Sequence, residues 1–348
     1  TSYMTNLGLG DFKNSEKSLK KISKSLPNHP LNHLLDLQNN NVNKEKNIIK
    51  NLNKLKNYPE TKHFALQGLA VIEKNNKNYQ EAELYLEESL SETPYAVNTV
   101  KALIEVYFTT ANWPKLEKIL HKSIKQKMIE AKDYHFEQAI CFLNLSKLST
   151  ATKAKYILAA QKMEPNNPEI QINYAKTLLA KKKKITLNKY IKNLWPTSPL
   201  SELLELYLAN VSNKNSKKKF QLISELINLN PRSETAIIKY VELALLEQKN
   251  INKAKLLLKE YLNHINSEKL YDLALRFFDQ TSGNIEDQEF YERLMKENSN
   301  YNNYTSFICS KCQTQHDVWQ EKCNNCTAKN SLKYGYVKAL ALLKIEHI

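Results

Sequence analysis

Apolar residues recur along most of the chain at intervals of three and four, the spacing of an amphipathic helix. Three segments show it best, beginning at Asn78, Asn112 and Asn250. Small or apolar residues then follow at helical spacing: Ala82, Leu86 and Ser89; Leu116, Leu120 and Ser123; Ala254, Leu258 and Tyr261. This spacing places them on one helix face, and an asparagine at the start can cap free backbone N–H groups. The pattern predicts helices that begin at these asparagines and bury that face.

The predicted helices recur at a regular interval. Positions that end a unit step along the chain by 31 to 37 residues: Pro27, Pro59, Pro94, Met128, Pro165, Pro196, Pro231 and Asn266. A period of about 34 residues is typical of tetratricopeptide (TPR) repeats, in which each unit is a helical hairpin. The closing proline is expected to stop the second helix. A general all-α bundle is the alternative, and the successive steps near one period disfavour it, although the repeats between residues 130 and 225 fit least well.

A single hairpin cannot bury its apolar face, so the hairpins are expected to stack into an all-α superhelix over residues 1–298. Such a superhelix has a concave groove lined by the first helix of each unit. Phe64, Gln67 and Val71 are among the residues expected to face this groove. The expected partners are proteins that bind there.

Charge and composition narrow the choice of partner. The net charge is +15, but arginine occurs only at Arg232, Arg276 and Arg293. Because recognition of bases and phosphates favours arginine, nucleic acid is a disfavoured partner. The basic stretch from Lys13 to Lys24 fits an acidic membrane surface better. No Gly-rich phosphate loop, Ser-His-Asp spacing or acid–base pair stands out, so the sequence argues against an enzyme.

Four of the five cysteines form two CxxC pairs near the end of the chain: Cys309, Cys312, Cys323 and Cys326. Each CxxC turn aims two thiolates at one point, and two such turns complete a tetrahedron around a metal ion. With four thiolates and no open position, the site is predicted to be structural. Zinc is expected, and iron in a rubredoxin-like site is the alternative.

The predicted metal site defines a small C-terminal module. Residues 304–336 are expected to form a rubredoxin-like or zinc-ribbon-like module, with residues 337–348 as a tail. Four thiolates already satisfy the ion, so His316 is predicted to be a surface residue. Trp319 is expected to pack over the small core, with Leu332 and Tyr334 on the other side. Cys141 falls within a predicted helix seam and is expected to be a buried, unreactive thiol.

The combination of repeats and cysteine module resembles the HemY-type membrane proteins associated with haem biosynthesis. LapB-type lipopolysaccharide-assembly proteins share this architecture and are the close alternative. The residues that carry the resemblance are the CxxC–Trp-x3-CxxC module with its Ser331-Leu332-x-Tyr334 finish, Leu9-Gly10-Asp11-Phe12, Pro30-Leu31, Pro59-Glu60-Thr61, Gly68-Leu69, Trp195-Pro196 and Pro199-Leu200. The module departs from the family pattern at three positions, where Gln313 and Thr327 replace glycine and Asn324 replaces proline.

The resemblance implies a function and a location. It implies a non-catalytic scaffold or regulator that organises porphyrin biosynthesis at the cytoplasmic face of the inner membrane, held by an N-terminal membrane anchor that is expected to be absent from this chain. The LapB-type alternative implies an adaptor that controls lipopolysaccharide synthesis through a membrane protease. The missing glycines imply strain, because non-glycine residues at a positive φ are disfavoured.

Overall fold

The computed structural model describes residues 12–25, 29–38, 45–148, 150–209, 211, 215–262, 267–281, 285–296 and 305–336. The chain divides into two compact units, residues 1–148 and 149–348. Both units are built from α-helices, and the second also carries a small β-sheet. No helix in the described part of the chain is long and apolar enough to cross a membrane.

The described part of the first unit consists of α-helices. Its helices are α1 (Phe12–Ser25), α2 (Pro30–Gln38), α3 (Glu45–Leu55), α4 (Pro59–Asn75), α5 (Tyr79–Glu92), α6 (Val97–Thr109), α7 (Trp113–Lys125) and α8 (His135–Leu148), the last preceded by a 3-10 turn at Ala131–Tyr134. Consecutive helices from α1 to α8 pack on one another. Close packing requires a small residue at Gly68 of α4, where an added Cβ would lie 2.9 Å from a methyl carbon of Leu52 in α3.

The second unit continues the hairpins and ends in the sheet. Its helices are α9 (Lys153–Met163), α10 (Pro168–Ala180), α11 (Lys184–Leu194), α12 (Ser201–Leu208), α13 (Ser216–Leu229), α14 (Glu234–Glu247), α15 (Ile251–Leu262), α16 (Glu268–Thr281) and α17 (Ile285–Lys296). The strands are β1 (Thr305–Cys309), β2 (Gln315–His316) and β3 (Leu332–Tyr336), in the order β2-β1-β3 and antiparallel throughout. The predicted linker before residue 304 and the predicted tail after residue 336 lie outside the described residues.

The helices predicted from the apolar spacing are confirmed. Helices α5, α7 and α15 begin directly after Asn78, Asn112 and Asn250, and the residues predicted to face the seam are all buried: Ala82, Leu86, Ser89, Leu116, Leu120, Ser123, Ala254, Leu258 and Tyr261. The predicted cap is formed by Asn112, whose side chain accepts a hydrogen bond from the backbone N–H of Lys115 at 3.4 Å. It is not formed by Asn78, whose amide donates to Glu73 instead.

The predicted repeat ends agree with the structure in position. Helices α5, α7, α9, α11 and α13 end two or three residues before the predicted ends at Pro94, Met128, Pro165, Pro196 and Pro231. Pro59 differs in role, since it opens α4 as the first helical residue rather than closing a unit. Proline suits that position because its missing N–H has no partner there in any case. Pro27 and Asn266 lie outside the described residues.

In several hairpins, a residue with a left-handed backbone follows the first helix. Lys77, Ala111 and Lys182 have φ values of 63°, 55° and 55°. In the first of these turns, the next N–H, from Asn78, donates back to the carbonyl of Glu73 at 2.8 Å. This arrangement satisfies carbonyls at the end of a helix and reverses the chain. A chain with only five glycines therefore builds its turns from lysine and alanine.

The core of the second unit runs from its helices into the sheet. One buried cluster joins the helices α10 to α17 with Phe307, Cys309, Cys323 and Leu332. The metal module therefore packs against the repeats of its own unit and shares their core.

Candidate metal centre

The four cysteines predicted to bind metal lie together. Their Sγ atoms are all within 4.8 Å of one another. Cys309 and Cys326 are 3.6 Å apart, and Cys312 and Cys323 are 3.5 Å apart. Among the described residues, no other group of three or more cysteine, histidine or carboxylate side chains is placed to share an ion.

These separations fit a tetrahedral ion. With metal–sulfur distances near 2.3 Å, the sulfur atoms of a tetrahedron lie about 3.8 Å apart. A disulfide would require about 2.05 Å, which neither pair approaches. Cys309 and Cys323 are buried, while Cys312 and Cys326 are half-buried and in partial contact with solvent. The four side chains could therefore hold one metal ion.

Two matching backbone turns position the thiols. The N–H of Gln313 donates to the carbonyl of Cys309 at 2.8 Å, and that of Thr327 donates to Cys323 at 2.9 Å. Gln313 and Thr327 have φ values of 60° and 57°. The sequence predicted strain at these two positions because glycine is the usual residue there, and the left-handed backbone confirms it.

We expect Thr327→Gly to raise the affinity of the site for metal. A left-handed backbone costs a non-glycine residue about 1–2 kcal/mol, and the β-branched side chain of Thr327 raises this cost. Removing this strain should lower the dissociation constant of Zn²⁺ by about tenfold, measured by competition with a chromophoric chelator. Lys311→Gly is the matched control, because this exposed residue of the first turn has no positive φ; an equal gain from the control would contradict the argument.

His316 is buried, and the prediction that it lies at the surface is wrong. Its side chain is 7% exposed, and its Nε2 atom is 3.4 Å from Cys323 Sγ. Strand β2 produces this position, because its pairing with β1 sets His316 opposite Phe307. An imidazole N–H can donate a hydrogen bond to a thiolate, so His316 is placed to stabilise the thiolate form of Cys323.

Hydroxyl groups support two further ligands. Ser331 Oγ lies 3.2 Å from Cys309 Sγ, and this hydrogen bond lowers the pKa of the Cys309 thiol. Thr314 Oγ1 lies 3.2 Å from Cys312 Sγ and, with the Thr314 backbone, lowers the pKa of Cys312 to about 5. Both contacts favour the thiolate, which is the form that binds a metal.

The fourth thiol shows why a cation suits the site. A backbone hydrogen bond at Ala328 acts to lower the pKa of Cys326, but the contacts with Cys312 and the other two thiols outweigh it and raise this pKa to about 12. Four thiolates within 4.8 Å of one another repel unless a cation lies between them. Metal binding at this site is therefore expected to release protons.

Apolar and aromatic side chains of the module pack into the core of the second unit. Leu332 is buried, and the rings of Phe307 and Tyr334 are 5.2 Å apart, which places an apolar layer beside the thiols. Trp319 is half-buried and packs against the same core. The predicted packing of Trp319, Leu332 and Tyr334 on the core is confirmed, but the expectation that Tyr334 lies on the side opposite to Trp319 is wrong, because both side chains line the same cleft.

Cys141 is a buried thiol, as predicted. It is 1% exposed in α8, and its Sγ donates to the carbonyl of Trp113 at 3.3 Å. Burial raises the pKa of this thiol to about 12. Both features make it a poor nucleophile.

The chain is similar to known proteins in fold alone. No family model and no curated protein matches the sequence. Three solved structures are similar in fold. The Naa15/Naa10 complex bound to HypK-THB has 13% identity and a TM-score of 0.39 over 85% of this chain, which spans 60% of the matched chain. YrrB, a TPR protein with an unusual peptide-binding site, has 14% identity and a TM-score of 0.34 over 53% of this chain and 95% of its own.

The third structure, yeast Tom70, has 17% identity and a TM-score of 0.28 over 82% of this chain and 60% of its own. Identities and TM-scores this low carry no information about partners or activity. The chain is a mostly helical array of TPR-like repeats, followed by a small three-stranded sheet with a four-cysteine cluster.

Proposed function

We propose that this protein is a non-catalytic scaffold that binds other proteins through the first helices of its repeats, with a metal module built onto the array. The observation that carries the proposal is the shared core of the second unit. Phe307 and Leu332 of the sheet belong to the same buried cluster as the repeat helices. A module fixed to a rigid array in this way adds surface to the array without adding a reaction centre.

Exposed apolar residues support protein binding in the first unit. Phe64 is 51% exposed and Val71 is 53% exposed, and both lie on α4. They are seven positions apart, so they share a helix face with Gln67 between them. An exposed apolar stripe on a repeat helix is the kind of surface that a partner protein covers.

The metal is zinc in this proposal. The ligands Cys309, Cys312, Cys323 and Cys326 form a closed set of four sulfurs, which suits zinc in a structural role, and the ion would supply the folding energy that a small module lacks. The same sulfurs would suit iron. Elemental analysis of the purified protein and its visible spectrum distinguish the two metals, because only the iron form is red.

The pathway follows the resemblance noted in the sequence. A HemY-like scaffold would organise enzymes of haem biosynthesis at the inner membrane, held by an N-terminal anchor. A LapB-like adaptor would instead bring an enzyme of lipopolysaccharide synthesis to a membrane protease. The domain division at residues 1–298, 304–336 and 337–348 is part of the same proposal.

Cross-linking capture tests the scaffold. Proteins cross-linked to the metal-loaded chain are identified by mass spectrometry and compared with those of a Phe64→Ser/Val71→Ser variant. We expect a defined partner set that this variant loses and that the control Leu246→Ser keeps, since Leu246 is 81% exposed on α14. Porphyrin-pathway enzymes would favour the first pathway and a membrane protease the second. Capture of no protein above the bare matrix would refute the scaffold.

A further inference from the structure

A cleft in the second unit lies between the repeat helices and the metal module. It encloses about 420 Å³, a volume typical of ligand pockets. One wall comes from the first helices of successive hairpins, α10, α12, α14 and α16, and the other from the module. We call it the acidic cleft; its lining includes Glu202, Glu205, Glu234, Glu242, Asp317 and Trp319.

The charge of the acidic cleft is opposite to that of the chain. Six carboxylates line it and only two lysines, Lys239 and Lys269, in a protein whose net charge is +15. Lys239 pairs with Glu205 at 2.6 Å, which leaves five carboxylates and one lysine in the lining. Acidic residues at the start of a helix are common because they favour the helix dipole. That reason does not apply to Glu205 and Glu242, which lie in the middle of α12 and α14.

Glu234 is a buried carboxylate in the wall of this cleft. The residue is 3% exposed, and one carboxylate oxygen accepts a hydrogen bond from the Ser267 hydroxyl. The other oxygen, Oε2, has no hydrogen-bond partner among the described residues. A buried carboxylate oxygen without a partner is costly, and the positive charge of a group bound in the cleft would lower that cost.

The module supplies the apolar side of the cleft. Trp319 and Tyr334 are half-buried there, and Val318 is 62% exposed. Aromatic faces next to carboxylates suit a lysine or arginine side chain, since its apolar stem packs on the rings while its charge meets the acids. The carboxylates are too dispersed to share one metal ion, because the cysteines form the single ion-binding group among the described residues. Dispersed charge matches an extended chain.

We infer that the acidic cleft binds a segment of a partner protein that carries lysine or arginine beside apolar residues. This inference rests on the proposed scaffold function and specifies the chemistry of one of its binding sites. The metal module forms one wall of the cleft and the first helices of the hairpins form the other. The segment is therefore recognised jointly by carboxylates of the helices and by aromatic residues of the module. Removing the metal should therefore weaken binding as well.

The test is a binding assay with the whole metal-loaded chain and two short fluorescein-labelled peptides. One alternates lysine with leucine, and the other alternates glutamate with leucine. Net charge alone predicts that this basic protein prefers the glutamate peptide. The acidic cleft predicts the reverse, with the lysine peptide bound more tightly in fluorescence anisotropy.

Paired variants locate the binding. Glu202→Gln/Glu242→Gln changes two exposed side chains of the cleft, so folding should be unaffected, and we expect about tenfold weaker binding of the lysine peptide. The control Glu286→Gln/Glu289→Gln makes the same charge change at two exposed positions of α17 and should leave the affinity unchanged. Trp319→Ala should also weaken binding of the lysine peptide, while the proteins that cross-link through Phe64 and Val71 of α4 should still be captured.

Three outcomes would overturn the inference. The first is tighter binding of the glutamate peptide, and the second is an equal loss in the cleft variant and the control. The third is concentration-dependent self-association in sedimentation that Glu202→Gln/Glu242→Gln abolishes, because the occupant would then be a second copy of this chain. Each outcome leaves the scaffold proposal intact if cross-linking still captures partners, so the two failures are distinguishable.

Discussion

Replacing Cys323 by serine is expected to remove the metal from the module and to unfold the sheet around it. Cys323 is 1% exposed, with its Sγ 3.5 Å from that of Cys312. Metal binding to a structural site contributes about 10–16 kcal/mol of apparent free energy, and a module this small has little core of its own. Three thiolates leave an incomplete site that no longer links the two CxxC turns through one ion.

Metal content and backbone protection measure this effect. Elemental analysis of Cys323→Ser should show the bound ion lost, and hydrogen exchange should show protection lost in the strands β1 to β3. Cys141→Ser is the matched control, because it removes a thiol that is equally buried but lies in α8 of the other unit. It should keep its metal and the protected strands. Stoichiometric metal in Cys323→Ser would refute the four-cysteine site.

Asp287→Ala is expected to lower the free energy of unfolding of the second unit by about 2–3 kcal/mol. The Asp287 side chain is 3% exposed, and its carboxylate accepts hydrogen bonds from Lys255 at 2.5 Å and Lys259 at 2.8 Å. These ion pairs join α15 to α17. Removal of the carboxylate leaves the ammonium groups of Lys255 and Lys259 without this negative partner. The loss of stability stays moderate because Lys259 is 28% exposed and its charge is screened by solvent.

The pH dependence of this effect has a definite sign. Burial by itself raises the pKa of Asp287, but the hydrogen bonds from Lys255 and Lys259 outweigh it and lower the pKa below the ordinary value. The contribution of a carboxyl with a lowered pKa is complete above its unfolded pKa and is lost as pH falls through the folded one. The difference between wild type and Asp287→Ala should therefore be constant near neutral pH and shrink below about pH 4.

Urea unfolding at several pH values tests the ion pairs. Asp279→Ala is the matched control, since Asp279 is exposed on α16 and its loss should cost less than about 0.5 kcal/mol. A destabilisation by Asp287→Ala no larger than that of the control would mean that the ion pairs contribute nothing net. An effect that grows as the pH falls would contradict the sign of the pKa shift.

The sequence was sufficient where structure depends on near neighbours along the chain. Helix α5 begins after Asn78 and buries Ala82, Leu86 and Ser89 because their spacing matches the helix turn. The cysteine pairs likewise predicted their own cluster, since each CxxC turn is local. The strain at Thr327 followed from the same local geometry.

The tertiary structure decided which of these local elements meet. Nothing in the spacing of the cysteines indicates that β2 pairs with β1, and this pairing is what buries His316 beside Cys323. The helix faces that line the cleft beside the module were equally unreadable, because contacts between segments far apart in the sequence leave no local pattern. The acidic cleft depends on such contacts, since Glu202 and Trp319 lie more than a hundred residues apart along the chain. Sequence determined the helices, their period and the four thiols; packing between distant segments determined what surrounds them.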